Sequence, residues 1–176
     1  MNEKKDMEKR ISSEWQPLGK EYFDALNKIA EQIHKTVPER PEIFTEKIEL
    51  FPDGCRGLFF DNRLVGYGIS HLWNLNSIPP LNDFLGYLPE NPTCIYIHDV
   101  AVLPEMRGHK AADRFMDYIM QLAKKLSINS LALVSLYGTD IFWSRFGFKI
   151  YSNNDIESKL KTYGETAKYM ICKVSG

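Results

Sequence analysis

Two stretches carry residue types and spacings that could do chemistry. The first is Arg107-Gly108-His109-Lys110-Ala111-Ala112, set between the apolar run CIYIHDVAVL and an amphipathic segment. Where a strand hands over to a helix, the first N–H groups of the helix lack intrahelical partners. Together with the positive end of the helix dipole they form an anion site. Small residues in such a turn let a diphosphate come close to the backbone. The turn matches neither GxxxxGK[ST] nor GxGxxG, so it is no Walker loop and no dinucleotide fingerprint. Taken alone, Arg-Gly before a helix reads as well as an ordinary surface turn. The second stretch is His98-Asp99 within the apolar run. An imidazole with an ordinary pKa of about 6.5 suits a base near neutrality; a satisfied sheet-face histidine is the competing reading. Strict alternation puts His98 with Val100 on one face and Asp99 with Ala101 on the other. Asp99 reads as an orienting group or as a structural cap.

The elements that must position these residues are set by periodicity. Tyr22, Leu26, Ile29, Ala30 and Ile33 recur at helical spacing over Lys20–Lys35, and a second helix is expected over Glu42–Leu50. The period then changes: Cys55–Phe60 and Leu64–Trp73 flank Asp61-Asn62-Arg63 as a hairpin. Residues 74–93 hold four prolines and no period, which marks a functional loop or a lid. A strand over Cys94–Leu103 leads into a helix over residues 109–126, with Ala112, Phe115, Met116, Ile119, Leu122, Ala123 and Leu126 on one face. Leu131–Val134 reads as a buried strand parallel to its predecessor, completing a βαβ unit. A short helix over Thr139–Arg145 comes next, then strands over Phe148–Tyr151 and Lys168–Val174. The expectation is one mixed α/β (α+β) domain over residues 13–176, behind a flexible segment of residues 1–12.

Bulk properties exclude several classes. A formal net charge of −1 leaves no basic footprint for nucleic acid. No run of about 18 apolar residues exists for a membrane span, and the charged start MNEKKDMEKR lacks the apolar core of a signal peptide. Cys55, Cys94 and Cys172 are odd in number and far apart, as expected of reduced thiols in the cytoplasm. The four histidines show no HExxH pairing, so no metal site is expected.

In this setting IHDVAVLPEMRGHKAADRFMDYIMQLAKK resembles the acyl-CoA-binding motif of the GCN5-related N-acetyltransferase (GNAT) superfamily: a strand, a V-x-P turn, then R/Q-x-x-G-x-G/A opening a helix. Phe142-Trp143-Ser144-Arg145-Phe146-Gly147-Phe148 resembles that family's F-Y-x-x-x-G-F element, and Leu64-Val65-Gly66-Tyr67-Gly68 its G-x-x-V-G strand pair. The resemblance covers roughly residues 50–152. It implies a mostly antiparallel mixed sheet with a central βαβ acyl-CoA-binding unit flanked by helices. It also implies acetyl-CoA as cosubstrate and acetyl transfer to a primary amine of a small molecule or peptide by direct attack. The alternative is a non-catalytic module of the same fold that binds an acyl-CoA or a protein. Cofactor contacts implied by the resemblance fall on Arg107, Gly108, His109, Lys110, Ala111, Ala112 and Phe142, and on the backbone of Val100 and Val102.

Acetyl transfer needs a base for the ammonium, a donor for the carbonyl oxygen and a proton for the departing thiolate. Polyamine-type members of the family carry a glutamate where His98 aligns, which makes His98 the candidate base. Many members have tyrosine where Trp143 stands, and an indole cannot protonate a thiolate; Tyr137 is the nearest alternative acid, or else an aromatic packed at a strand end. Lys110 replaces the family's glycine, either as a charge beside the phosphates or as the first solvated lysine of the helix. Leu136 replaces a loop asparagine. Arg107 is a phosphate ligand or a turn residue paired with Glu105. Leu81, Phe84, Leu85, Tyr87 and Leu88 wall an acceptor pocket or seal the core, and Asp83 and Glu90 are acids that could attract a cation. Edge strands at the C-terminus suggest a homodimer.

Overall fold

The computed structural model describes residues 12–175. The expected flexible segment therefore lies, except for its last residue, outside the described residues. Seven strands form one sheet: β1 (Glu14–Pro17), β2 (Cys55–Phe60), β3 (Arg63–Trp73), β4 (Cys94–Val102), β5 (Ser130–Ser135), β6 (Lys149–Ile150) and β7 (Lys168–Lys173). Their spatial order is β1-β2-β3-β4-β5-β7-β6. Only β4 and β5 run parallel, and every other pair is antiparallel. The last strand lies inside the sheet, so the expected C-terminal edge is instead the two-residue β6.

Asp61 and Asn62 both take left-handed backbone angles, as a two-residue hairpin between twisted strands requires. One face of the sheet receives α1 (Phe23–Ile33) and α2 (Pro41–Leu50), whose Leu26, Ile29, Phe44 and Ile48 pack on Leu58, Tyr67 and Ile69. Pro41 starts α2, where its missing N–H costs nothing. The other face receives α3 (Ala111–Lys125), whose Phe115, Met116, Ile119 and Ala123 cover Ile95, Ile97, Leu131 and Leu133. Gly68 brings the sheet close to α3: a Cβ there would run into the Phe115 ring.

Two elements escaped the periodicity. β1 is four residues long, and Trp15 fixes it by donating from Nε1 to the Ala111 carbonyl at 2.8 Å and packing on Phe115 at 4.9 Å between ring centroids. A short helix, α5 (Asn154–Leu160), is capped by Asn153, whose side chain accepts from Ile156 N–H at 2.8 Å. Residues 74–93 contain no helix or strand, and hydrogen bonds tie them to α2 and to Tyr163. The Glu46 carboxylate accepts from Leu85 and Gly86 N–H at 2.7 and 2.9 Å, and Pro79 accepts from the Tyr163 hydroxyl at 2.6 Å.

Candidate active site

β4 and β5 pair only from Ile95↔Leu131 to Ile97↔Leu133. Beyond that point β4 stays on β3 while β5 leaves it, and the separation opens two clefts. A register shift falls at the same place: Ser70 faces Ile97 and Ile69 faces Asp99, so His98 is an extra residue. This bulge breaks the alternation expected from the sequence. His98 and Asp99 both turn toward α1 and α2, where His98 meets Phe44 and Asp99 meets the Tyr67 hydroxyl. Val100 packs on the α3 side instead. The expected grouping of His98 with Val100 is thus wrong, because a bulged residue resets the period.

The first cleft, about 550 Å³, lies between the open end of β4, the start of α3 and the short helix α4 (Asp140–Ser144). Of the residues implied by the resemblance, Val100, Val102, Arg107, Gly108, Lys110, Ala111, Ala112 and Phe142 line it, and His109 does not. The His109 carbonyl accepts from Arg114 Nη1 at 2.8 Å, which ties the turn to the helix it precedes. Gly108 has a left-handed φ of +80°, and a Cβ there would point into open space. Lys110 is the N-cap of α3 rather than a residue of its polar face, and it adopts the left-handed angles φ 55°, ψ 29°. That is the conformation glycine accepts without strain and other residues adopt at a cost of about 1 kcal/mol. Arg107 donates from Nε to the Val102 carbonyl at 3.2 Å, while Glu105 pairs with Arg63 at 3.4 Å. The expected alternative partnership of Arg107 with Glu105 does not form. Trp143 lines the cleft and packs against Phe142 and Phe148.

The second cleft, about 880 Å³, is bounded by residues 36–38, by Ile78–Asn82, by Leu136-Tyr137 and by the turn after α5. It shares Val37, Leu81, Leu136 and Tyr163 with an inner chamber of about 40 Å³ that holds His34, Glu39, His98 and Asp99. The chamber contains two histidine–carboxylate pairs. His98 Nε2 lies 2.6 Å from Glu39 Oε1, with both side chains almost fully buried. Burial works to raise the Glu39 pKa, but His98 and the Asn82 N–H, 3.0 Å away, outweigh it and hold the carboxyl below its usual range. Glu39 is therefore the acceptor and His98 Nε2–H the donor. In the neutral ring this arrangement would leave the lone pair on Nδ1.

In the other pair, His34 Nε2 lies 2.9 Å from Asp99 Oδ1. Burial pushes the His34 pKa down, yet the Asp99 hydrogen bond and charge prevail and raise it. Tyr137 stacks on His34 with ring centroids 6.2 Å apart, and its hydroxyl lies 3.5 Å from His34 Nδ1. Tyr137 is itself left-handed at φ 57° and half exposed. Ile33 lines the first cleft and His34 the inner chamber; Tyr137 lines the second cleft and Thr139 the first. Chain neighbours thus line different cavities on either side of His34 and Tyr137.

The sequence matches the Acetyltransferase (GNAT) family over residues 19–148. The chain belongs to that family. No curated protein matches it. Among solved structures, Ard1 from Thermoplasma volcanium superposes with a TM-score of 0.70 at 16% identity, over 94% of this chain and 100% of that one. The loading GNATL domain of CurA from Lyngbya majuscula gives 0.74 at 14% identity, over 93% and 98%. Arabidopsis thaliana Naa50, in complex with the bisubstrate analogue CoA-Ac-MVNAL, gives 0.63 at 15% identity, over 92% and 97%. At these identities the likeness establishes the fold, and the chemistry of this GNAT chain rests on its own residues.

Of the sequence-derived catalytic pair, His98 lies in the inner chamber and Tyr137 lines the second cleft. Glu39 and His34 went unnoticed. Glu39 sits in a proline-flanked connection with no periodic signal, and His34 was one of four scattered histidines. The His98-Asp99 dipeptide carried the only hint, since both side chains can serve one site only at a bulge.

Proposed function

We propose that this GNAT chain transfers an acetyl group from acetyl-CoA to a primary amine of a small molecule or peptide by direct attack. The reading is carried by one observation: a chamber with two histidine–carboxylate pairs is continuous with the acceptor-type cleft, and Ile33 and Thr139, chain neighbours of His34 and Tyr137, line the cofactor-type cleft. Acetyl-CoA supplies an activated thioester when bound. The residues present fit it. The N–H groups that open α3 have no intrahelical partners, Arg107 adds a cation, and the open space over Gly108 lets a diphosphate reach the backbone.

The remaining roles belong to the chain. His98 Nδ1 takes the proton the acceptor ammonium must lose, with Nε2–H fixed on Glu39. The chamber of about 40 Å³ has room for a water to carry that proton inward. At the other end, the Tyr137 hydroxyl would supply the proton the leaving sulfur needs as the C–S bond breaks and the C–N bond forms, and the second proton of the acceptor nitrogen would leave through the chamber water as the neutral amide forms. His34 Nδ1–H returns a proton to Tyr137, and Asp99 holds the imidazolium. Trp143 then needs no proton of its own and serves as an apolar wall. Three buried, unpaired cysteines and the absence of any helix long and apolar enough to cross a membrane among the described residues agree with a cytoplasmic setting.

Titration of the protein with acetyl-CoA, beside Arg107→Glu, tests the cofactor half, and CoA release with a panel of amines tests the transfer. Saturable binding weakened in the variant, with amine-dependent release, is expected. Binding without release for any amine would favour a non-catalytic acyl-CoA-binding module.

A further inference from the structure

The acceptor cleft has a polarity of its own. Lys159, near the end of α5, and Lys161, just after it, line the cleft, and no aspartate or glutamate does. Neither lysine pairs with a carboxylate among the described residues. Glu165 falls between the lining residues Gly164 and Thr166 but does not itself line the cleft. The two acids expected from the sequence to attract a cation stand elsewhere. Glu90 borders a separate groove beside Trp73 and Tyr87, and the Asp83 carboxylate accepts from the Phe84 N–H at 2.8 Å. The inner chamber instead holds two acids, Glu39 and Asp99, each engaged by a histidine.

Resting on the proposed transferase activity, we infer that the acceptor is a small amine that also carries an anionic group, in the first place a carboxylate. Its amine is directed to the chamber and its acid to Lys159 and Lys161. The two lysines would repel a second ammonium at the mouth, which disfavours polyamines and aminoglycosides. The same lysines attract a carboxylate, and the Thr166 hydroxyl, which also lines the cleft, can donate to it. The volume, about 880 Å³, lies within the range of small-molecule sites.

Matched acceptor pairs test this: amino acids against their carboxamides and decarboxylated amines, assayed with acetyl-CoA. The carboxylated member is expected to have the higher kcat/KM by about tenfold, expressed in KM, as two partly exposed ion pairs allow. The Lys159→Glu/Lys161→Glu double variant should lose the preference, whereas Lys159→Arg/Lys161→Arg should keep it. Equal or better use of the uncharged members by the wild type, or a preference that survives charge reversal, overturns the inference. A second arm titrates the acetyl-CoA-binding protein with N-acetylated amino acids and their amides. Lysine-dependent binding of the acids alone supports the charged mouth even if no amine is acetylated, an outcome that would instead refute the transferase reading. Equal binding of acids and amides overturns the inference independently of turnover.

Discussion

His34 Nε2 and Asp99 Oδ1 lie 2.9 Å apart across 65 residues of chain, and the second oxygen of the same carboxylate accepts from the Tyr67 hydroxyl at 2.6 Å. Asp99 thereby holds the imidazole on which Tyr137 stacks. Its replacement by asparagine keeps an acceptor for Tyr67 but removes the charge that raises the His34 pKa, leaving burial to lower it. If His34 resupplies the proton that Tyr137 gives up, Asp99→Asn should lower kcat by about 10- to 100-fold. The alkaline limb of the pH–rate profile should move to lower pH, and acetyl-CoA affinity should hold. Stability offers a second reading. A histidine whose folded pKa is raised stabilises the fold fully below its unfolded pKa of about 6.5 and loses that contribution as pH rises through the folded value. Denaturation curves should therefore show Asp99→Asn costing more at pH 5.5–6 than at pH 8.

Much of this architecture was legible in the sequence because its signals are local. Phe115, Met116 and Ile119 announce α3 by their spacing, and Asp61-Asn62 announces the hairpin. The site was legible only in part. The Arg107–Ala112 turn stands where the spacing put it, since a strand–helix junction is contiguous in sequence. The His98–Glu39 and His34–Asp99 pairs are not contiguous; they arise from a bulge in β4 and from the way the α1–α2 connection folds over it. No periodicity encodes a bulge, and alternation assigned His98 to the wrong face. β1 was missed because four residues cannot display a period.

His98→Ala and Glu39→Gln separate a base from the group that orients it. His98→Ala should reduce kcat/KM by about 10²- to 10⁴-fold and remove the acid limb of the profile. Glu39→Gln should cost less in rate yet shift that limb, because a neutral amide no longer fixes His98 Nε2–H as the donor. Equal pH profiles for all three proteins would remove His98 from catalysis.

Lys110 occupies left-handed backbone angles at the start of α3. Lys110→Gly should relieve that strain and raise stability by about 0.5–1 kcal/mol, less the extra chain entropy glycine brings. Urea unfolding measures the change. Acetyl-CoA affinity should not fall, since the backbone N–H is retained.

Gly68 tests packing away from the site. A Cβ at Gly68 would clash with the Phe115 ring, which is fully buried between α3 and the sheet. Gly68→Ala should destabilise the protein by about 1–3 kcal/mol through overpacking. Trp15 packs on that same ring, so displacement of Phe115 should also change the tryptophan fluorescence of the folded state.

His71 contributes to the response to acid. It is buried beside Trp73 and Tyr96, its Nε2 has no hydrogen-bond partner, and burial together with the nearby His98 pushes its pKa down to about 3. The unfolded chain takes up a proton at His71 near pH 6.5, while the folded protein refuses it until about pH 3. A depressed histidine thus leaves stability intact above the unfolded pKa and erodes it progressively as pH falls between the two values. His71→Phe removes both the titration and the orphaned nitrogen at similar volume. Its unfolding free energy should fall less steeply than the wild type's between pH 6.5 and 4, whatever the offset at pH 8. Parallel slopes for the two proteins would mean that His71 gains a proton in the fold, and that the ring reaches water the static packing does not show.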